Sequence, residues 1–282
     1  MHVTPNKRQV AGVRAKGAAM CVTPCLRAGI LVIGSLIWDT RAPRPDWRAR
    51  RLDLSRKERV PAPIRYGRKS AVGARENQYT MTFSLDSPPG RAYIVPCHCE
   101  IRSFGDLVEE AEALATAEGL VTPSPRWKTF GAVGLLFRDP KEMMSSGLRE
   151  RWSAYFSDRS ETAEILNAYE ALRERPPIGR DGLLTIEWPA ESSQHDAARV
   201  DVLLATVNAP SLGSKDYATP CEIADSIVNR APNKASYMRE NVAASIRTYQ
   251  DVEIWEAIES LGPRWINDDG YPALSRSVRE SM

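Results

Sequence analysis

The sequence predicts an α+β fold in which a small, strongly curved mixed sheet is surrounded by helices. Three observations support this fold class. A run of four aliphatic residues, Ile30–Ile33, is typical of a buried strand. An amphipathic pattern over residues 103–118, between a capping signal and a glycine, predicts a helix. Strand patterns continue through the first half of the chain, whereas the C-terminal part is more helical.

Composition and charge place the chain among ordinary globular proteins. The 282 residues are 43% hydrophobic and 26% charged, with a formal net charge of only +2. That charge gives no reason to expect a nucleic-acid or membrane partner. The apolar runs are too short for a membrane span, and no apolar segment typical of a signal peptide precedes Gly29. We therefore expect a cytoplasmic protein with no nucleic-acid or membrane partner.

The chain is expected to form one domain, residues 29–262, with extensions at both ends. Residues 1–28 are basic, rich in small residues and without clear periodicity. They are predicted to form a flexible arm, unless translation begins at Met20. Residues 263–282 are predicted to be a loosely held tail. A pair of helical patterns within residues 138–182 is interpreted as an insertion.

The remaining elements follow from alternation, short apolar runs and helical spacing. Further strands are predicted at 64–70, 78–83, 91–99, 133–137, 183–188 and 200–207. Prolines interrupt the charged segment 39–59, which is expected to be a loop that carries a short basic helix at 47–51. Helices are predicted at 141–157, 161–174, 219–228, 233–250 and 252–261.

Small residues directly after the first strand form a candidate binding turn. Gly34 and Ser35, followed by Leu36, let backbone N–H groups point outward with no large side chain in the way. Such a turn suits the binding of a carboxylate or another anion. The alternative is an ordinary core strand that ends in a Gly-Ser turn, because short glycine motifs often occur without a function.

Glu118 is the candidate catalytic residue. Ser103 and Asp106 form a capping-box pattern, and Gly119 is a typical helix stop. At about 100° per residue, Glu118 falls on the apolar face of this helix. Burial and the negative end of the helix dipole both disfavour a charged carboxyl group there, which suits a general base or acid. The alternative is that the helix frays and the side chain extends into water. The apolar face consists of Leu107, Ala111, Leu114 and Ala115.

The cysteines do not favour a disulfide framework or a metal site. The five cysteines are an odd number at irregular spacing. Alternation along a strand would place the thiols of Cys97 and Cys99, on either side of His98, on one face. Further ligands that would complete a zinc site are not evident. Ordinary strand residues are therefore the preferred interpretation of this segment.

Taken together, these pieces resemble the gamma-glutamylcyclotransferase-like family, in particular its ChaC branch. The turn Gly34–Trp38 is similar to the turn that follows the family's first strand. Glu118, directly before Gly119, matches the position of the family's catalytic glutamate. The resemblance implies a small mixed β-barrel or curved sheet with surrounding helices. Weaker similarities lie at Arg65–Ser70, Arg75, Tyr79–Leu85, Leu203–Thr206, Tyr217–Pro220 and Ser236–Met238.

The resemblance implies an intramolecular aminolysis of a small gamma-glutamyl compound. The free α-amine attacks the gamma-carbonyl group of the same residue, 5-oxoproline forms, and the attached amine leaves. Glu118 would act as the base, and the N–H groups of Gly34, Ser35 and Leu36 would hold the α-carboxylate. The reaction requires no metal or organic cofactor.

Two alternatives stay open at this point. The family's Tyr before Gly-Ser is Ile33 here, which favours a catalytically inactive ligand-binding or interaction module. Trp152, Tyr155 and Phe156 could then form a partner surface, although clustered aromatics on a helix more often face the core. The second alternative is an enzyme that acts on a larger gamma-glutamylated molecule, through a wide pocket bordered by the insertion.

Overall fold

The computed structural model of the chain describes residues 25–70, 77–121, 130–139, 147–159, 162–189, 199–211, 216–229, 236–262 and 277–278. Three predicted parts lie outside these residues. They are the part of the predicted arm that precedes Cys25, the residue Arg75, and nearly all of the predicted tail. Within them the fold is α+β, as predicted. The strands are β1 (Leu26–Val32), β2 (Glu58–Ala62), β3 (Ile64–Lys69), β4 (Tyr79–Phe83), β5 (Gly90–Ile101), β6 (Gly131–Phe137) and β7 (Val202–Asn208). The helices are α1 (Arg44–Arg51), α2 (Phe104–Glu118), α3 (Leu148–Arg159), α4 (Ala163–Ala171), α5 (Pro220–Asn229), α6 (Ser236–Ala243) and α7 (Asp251–Leu261).

Five strands form a mixed sheet in the order β2-β5-β1-β7-β6. The central strand β1 is antiparallel to β5 and parallel to β7, and β7 is antiparallel to β6. β3 and β4 form a separate antiparallel hairpin. The mixed sheet is therefore confirmed. Within the described residues the edge strands β2 and β6 do not pair with each other, so the sheet does not close into a barrel.

The first strand and the first long helix form where local sequence signals place them. β1 is almost wholly buried, although it begins at Leu26, before the predicted start at Ile30. In α2 the Ser103 side chain and the Asp106 side chain cap each other's backbone N–H groups. Gly119 ends the helix with a φ of 71°, in the left-handed region that glycine adopts most easily. The predicted apolar face is fully buried, and α2 packs against β5, β6 and β7.

The inserted helical segment belongs to the same hydrophobic core. Trp152, Tyr155 and Phe156 are buried, so the partner surface considered for these aromatics is not available. The Trp152 indole N–H donates to the Gly182 carbonyl at 3.0 Å. Tyr169 of α4 donates to the Phe83 carbonyl of β4 at 2.7 Å, which ties the insertion to the hairpin.

Two predicted elements differ from the structure. Residues 183–188 alternate in burial, but they pair only through isolated bridges at Leu183 and Leu184 and form no strand. The predicted helix 233–250 is shorter, because α6 ends at Ala243 and Ser245 adopts a φ of 60°. The backbone N–H of Ile246 then bonds to the Asn241 carbonyl, which terminates the helix. None of the described helices is long and apolar enough to cross a membrane.

Candidate functional site

The turn after β1 winds into a short 3-10 helix, Ser35–Ile37. The first N–H groups of a helical turn have no acceptor within that turn. Gly34 is the N-cap residue of this helix, and Ser35 and Leu36 are its first two residues. Ser35 and Leu36 are buried, and all three residues line a cavity. The binding of an anion by this turn stays a prediction.

Helix α1 holds this turn in place through a partly buried guanidinium group, that of Arg48. Nη1 of Arg48 donates to the carbonyl oxygens of Leu36 and Asp39, each at 2.8 Å. The Asp39 carboxylate is itself buried and binds the side chains of Arg41 and Arg44. The turn is thus fixed from its C-terminal side by charge-assisted hydrogen bonds, which are stronger than neutral ones.

Glu118, the last residue of α2, reaches the same cavity. The helix does not fray before it, so the alternative of a solvent-directed side chain is wrong. Oε1 accepts a hydrogen bond from the Thr206 hydroxyl at 3.3 Å, and Oε2 accepts one from Nη2 of Arg44 at 3.2 Å. The side chain is 18% exposed. The carboxylate therefore stands in a polar, partly open place, rather than on the dry apolar face that the helical wheel indicated.

The most buried acid of α2 is Glu110, which the wheel placed only at the margin of the apolar face. It is 3% exposed, and Arg51 of α1 donates to its Oε1 at 3.0 Å. Burial raises the pKa of the Glu110 carboxyl group above its usual value, while Arg51 acts in the opposite direction. Glu110 does not line the cavity, so this ion pair joins α1 to α2 and has no evident role at the candidate site.

Tyr237 of α6 places a phenol hydroxyl directly beside the turn. Its oxygen accepts a hydrogen bond from the Met81 N–H of β4 at 3.2 Å. A Cβ atom at Gly34 would lie 2.6 Å from this oxygen. The family resemblance implied that a ring and hydroxyl were missing here, because Ile33 stands where the family has a tyrosine. A tyrosine hydroxyl is present at the turn, and it comes from a distant helix.

The cavity between these elements has a volume of about 410 Å³, within the range of about 300–1,000 Å³ that small-molecule sites occupy. Glu118 and the turn Gly34–Leu36 both line it. Three arginines and one carboxylate among its described lining residues give it an excess of positive charge. No described residue of the insertion lines it. The charged and polar lining residues to which the sequence assigned no role at the site include Arg41, Arg44, Arg68, Thr206, Asn208 and Tyr237.

The structure also locates the segment that suggested a metal. Cys97 is partly buried on β5, whereas His98 and Cys99 are exposed. Among the described residues, no group of three or more His, Cys, Asp or Glu side chains could hold a metal ion.

A second hollow of about 700 Å³ is bordered by α4 and the loop that follows it, which belong to the insertion. Its lining includes neither Glu118 nor the Gly34–Leu36 turn. The wide pocket expected for a larger gamma-glutamylated substrate is therefore not part of the candidate site.

Comparisons with known proteins identify no relative of this chain. No family model matches the sequence, and no curated protein or solved structure is significantly similar to it. A proposed function therefore rests on the geometry of the cavity and on the resemblance carried by the Gly34–Trp38 turn and Glu118.

Proposed function

We propose that the protein is a gamma-glutamylcyclotransferase-like enzyme, which converts a gamma-glutamyl group to 5-oxoproline and releases the attached amine. One observation carries this proposal: the Glu118 carboxylate and the Gly34–Leu36 turn line the same cavity. A base and a carboxylate-binding turn on one small cavity are the two parts that the reaction needs. The assignment of the fold to the gamma-glutamylcyclotransferase-like family is part of the same proposal.

The first step is the binding of the glutamyl group. Its α-carboxylate accepts hydrogen bonds from the N–H groups of Gly34, Ser35 and Leu36, and the positive charge of the cavity favours its entry. Held at that end, the flexible side chain folds back so that the α-amine approaches its own gamma-carbonyl carbon. Such positioning replaces an encounter in solution and lowers the entropic part of the barrier.

Glu118 then moves one proton. Its carboxylate takes a proton from the α-ammonium group, and the neutral amine attacks the gamma-carbonyl carbon to form a new C–N bond. As the tetrahedral intermediate collapses, the bond to the attached amine breaks, and Glu118 returns the proton to the departing nitrogen. The ring nitrogen gives its remaining extra proton to the released amine, which leaves as an ammonium ion. No water and no redox equivalent are consumed. The Thr206 hydroxyl, 3.3 Å from Oε1, orients the carboxylate for both transfers.

A ligand-binding module without turnover is the second candidate. It is favoured by the ion pair between Arg44 and Glu118, since Oε2 already has a positively charged donor in the same cavity. In the enzyme, the substrate ammonium group must bind to Oε1, or Arg44 must move away so that the ammonium group can bind to Oε2. The two candidates differ in a single measurable property, the release of 5-oxoproline.

The test is the release of 5-oxoproline from a panel of gamma-glutamyl compounds by the natural protein and by Glu118→Gln. This change keeps the shape of the side chain and removes the base, so we expect turnover to fall by at least about a hundredfold. Glu109→Gln, an exposed position on the same helix, is the matched control and should keep full turnover. Activity that survives Glu118→Gln in a folded protein would refute this mechanism. Binding of the compounds without any turnover would favour the ligand-binding module.

A further inference from the structure

The second hollow, bordered by α4 and the loop that follows it, has no part in the proposed reaction. Its volume of about 700 Å³ lies within the range of about 300–1,000 Å³ that small-molecule sites occupy. Its apolar floor belongs to the packed interior, because Ile178 is fully buried and Leu85 packs against the hydrophobic core. The hollow can therefore receive the apolar part of a ligand. The apolar residues that line it are Leu85, Leu166, Pro176 and Ile178.

Three arginines that line this hollow lack a partner among the described residues. Arg173, Arg175 and Arg180 are exposed, and within the described part of the chain none of them makes a hydrogen bond or an ion pair. Asp181, which follows Arg180, is already paired with Arg149 at 3.0 Å. The guanidinium groups of the three lining arginines are therefore available to a ligand.

The two carboxylates that line the hollow do not cancel this positive charge. Glu174 is held by two hydroxyl donors, because Ser84 donates to its Oε1 at 2.7 Å and Tyr217 donates to its Oε2 at 2.7 Å. Glu170 is exposed on the last turn of α4. Three arginines against two glutamates leave an excess of positive charge among the described lining residues. The charge of the hollow therefore favours an anionic ligand over a neutral or cationic one.

Arg173 has an uncommon backbone conformation. Its φ of 59° lies in the left-handed region, which glycine adopts most easily and arginine adopts rarely. The residue directly follows Leu172, the C-cap of α4, and the N–H of Glu174 then bonds to the Tyr169 carbonyl at 3.0 Å. Glycine would end this helix with less strain. Because strained residues cluster at ligand sites, an arginine at this position favours a role for its side chain at the hollow.

We propose that this hollow binds an aliphatic monocarboxylate, whose carboxylate contacts the arginines and whose chain lies on the apolar floor. A guanidinium group presents its N–H donors in a fork that matches a carboxylate. Burial of the aliphatic chain against the floor adds hydrophobic stabilisation. The hollow and the candidate catalytic cavity share no described lining residue, so this inference does not depend on the proposed function.

The test is calorimetric titration of the full chain with octanoate and with octanol, which has the same aliphatic chain length but no charge. We expect octanoate to saturate a single site and to bind about fivefold more tightly than octanol, the usual size of an exposed charge pair. Arg175→Met and Arg180→Met should each remove part of this preference. Arg59→Met, at an exposed position on β2, is the matched control and should leave it unchanged.

Arg173→Gly separates the role of this side chain from its effect on folding. Glycine adopts the left-handed conformation without strain, so this variant should stay folded and should still bind octanoate more weakly than the natural protein does. The inference is overturned if octanoate does not bind, or if octanol binds equally well. It is also wrong if none of the three arginine substitutions weakens octanoate, because the ligand would then be bound elsewhere on the protein.

Discussion

The hydroxyl oxygen of Tyr237 stands 2.6 Å from the point that a Cβ atom at Gly34 would occupy. The hydroxyl is anchored by the Met81 N–H at 3.2 Å, and the edges of Trp38 and Tyr66 pack around its ring. The φ of −172° at position 34 is an extended conformation that any residue can adopt. The close contact, and not the backbone conformation, therefore requires glycine at this position. The turn that we assign to the α-carboxylate is shaped by a side chain from the C-terminal part of the chain.

We predict that Gly34→Ala destabilises the protein and impairs the site. The added methyl group must displace either the turn or the Tyr237 hydroxyl, which is the usual cost of overpacking, about 1–3 kcal/mol. Urea denaturation gives the change in the free energy of unfolding, and 5-oxoproline release gives the change in turnover.

A double mutant tests whether the contact between the added methyl group and the Tyr237 hydroxyl causes this loss of stability. In a Tyr237→Phe background the nearest remaining ring atom, Cζ, is 3.7 Å from the added methyl group, an ordinary contact distance. Gly34→Ala should then cost clearly less than it does in the natural protein. Equal costs in the two backgrounds would show that the Tyr237 hydroxyl does not constrain the turn.

Arg48 provides a second test of the turn, from the opposite side. Arg48→Met removes the donors to the Leu36 and Asp39 carbonyl oxygens, while it keeps an unbranched apolar stem. Because Arg48 does not line the cavity, it acts as a positioning residue. We expect KM to rise about tenfold with a smaller change in kcat, consistent with the loss of hydrogen bonds to a charged group. Arg48→Lys should restore part of the affinity, and a loss of kcat alone would contradict this role.

Local signals were sufficient to predict the two elements that form the centre of the site. β1 follows from an aliphatic run, and α2 from its capping box, apolar period and terminal glycine, all of which act within a few residues. The break after α6 was missed because Ser245, not a glycine, adopts the left-handed conformation that ends the helix. Residues 183–188 show the alternation of a strand, yet they pair with β6 over too short a length to form one.

The residues that complete the cavity had no such local signal. Arg44 and Thr206 contact Glu118 across 74 and 88 positions of the chain, and Tyr237 contacts Met81 across 156. Periodicity and capping report only on neighbours within an element, so they cannot bring these side chains together. The sequence therefore drew attention to Glu118 and the turn, which line one cavity, but it assigned no role to the three arginines that line the same cavity.

Asp251 is a buried titratable group that does not line the cavity. It is the first residue of α7 and 3% exposed. The Thr248 hydroxyl donates to its Oδ1 at 2.6 Å, whereas its Oδ2 has no hydrogen-bond partner within the described structure. Burial raises the pKa of this carboxyl group from 3.8 to about 6, although the Thr248 hydrogen bond and the charge of Arg247 act in the opposite direction.

This raised pKa predicts that Asp251 makes stability depend on pH between about 4 and 6. The carboxyl group favours the folded state most at a pH below 3.8, and the benefit is lost as the pH rises through its folded pKa of about 6. At 1.36 kcal/mol per pKa unit, the loss is on the order of 3 kcal/mol. Urea denaturation from pH 3.8 to pH 7 should show that Asp251→Asn gains stability relative to the natural protein by about this amount, and no further above pH 7. Asp86→Asn, which removes an exposed carboxylate, is the matched control. A stability difference between Asp251→Asn and the natural protein that stays constant over this range would show that Asp251 ionises equally in both states.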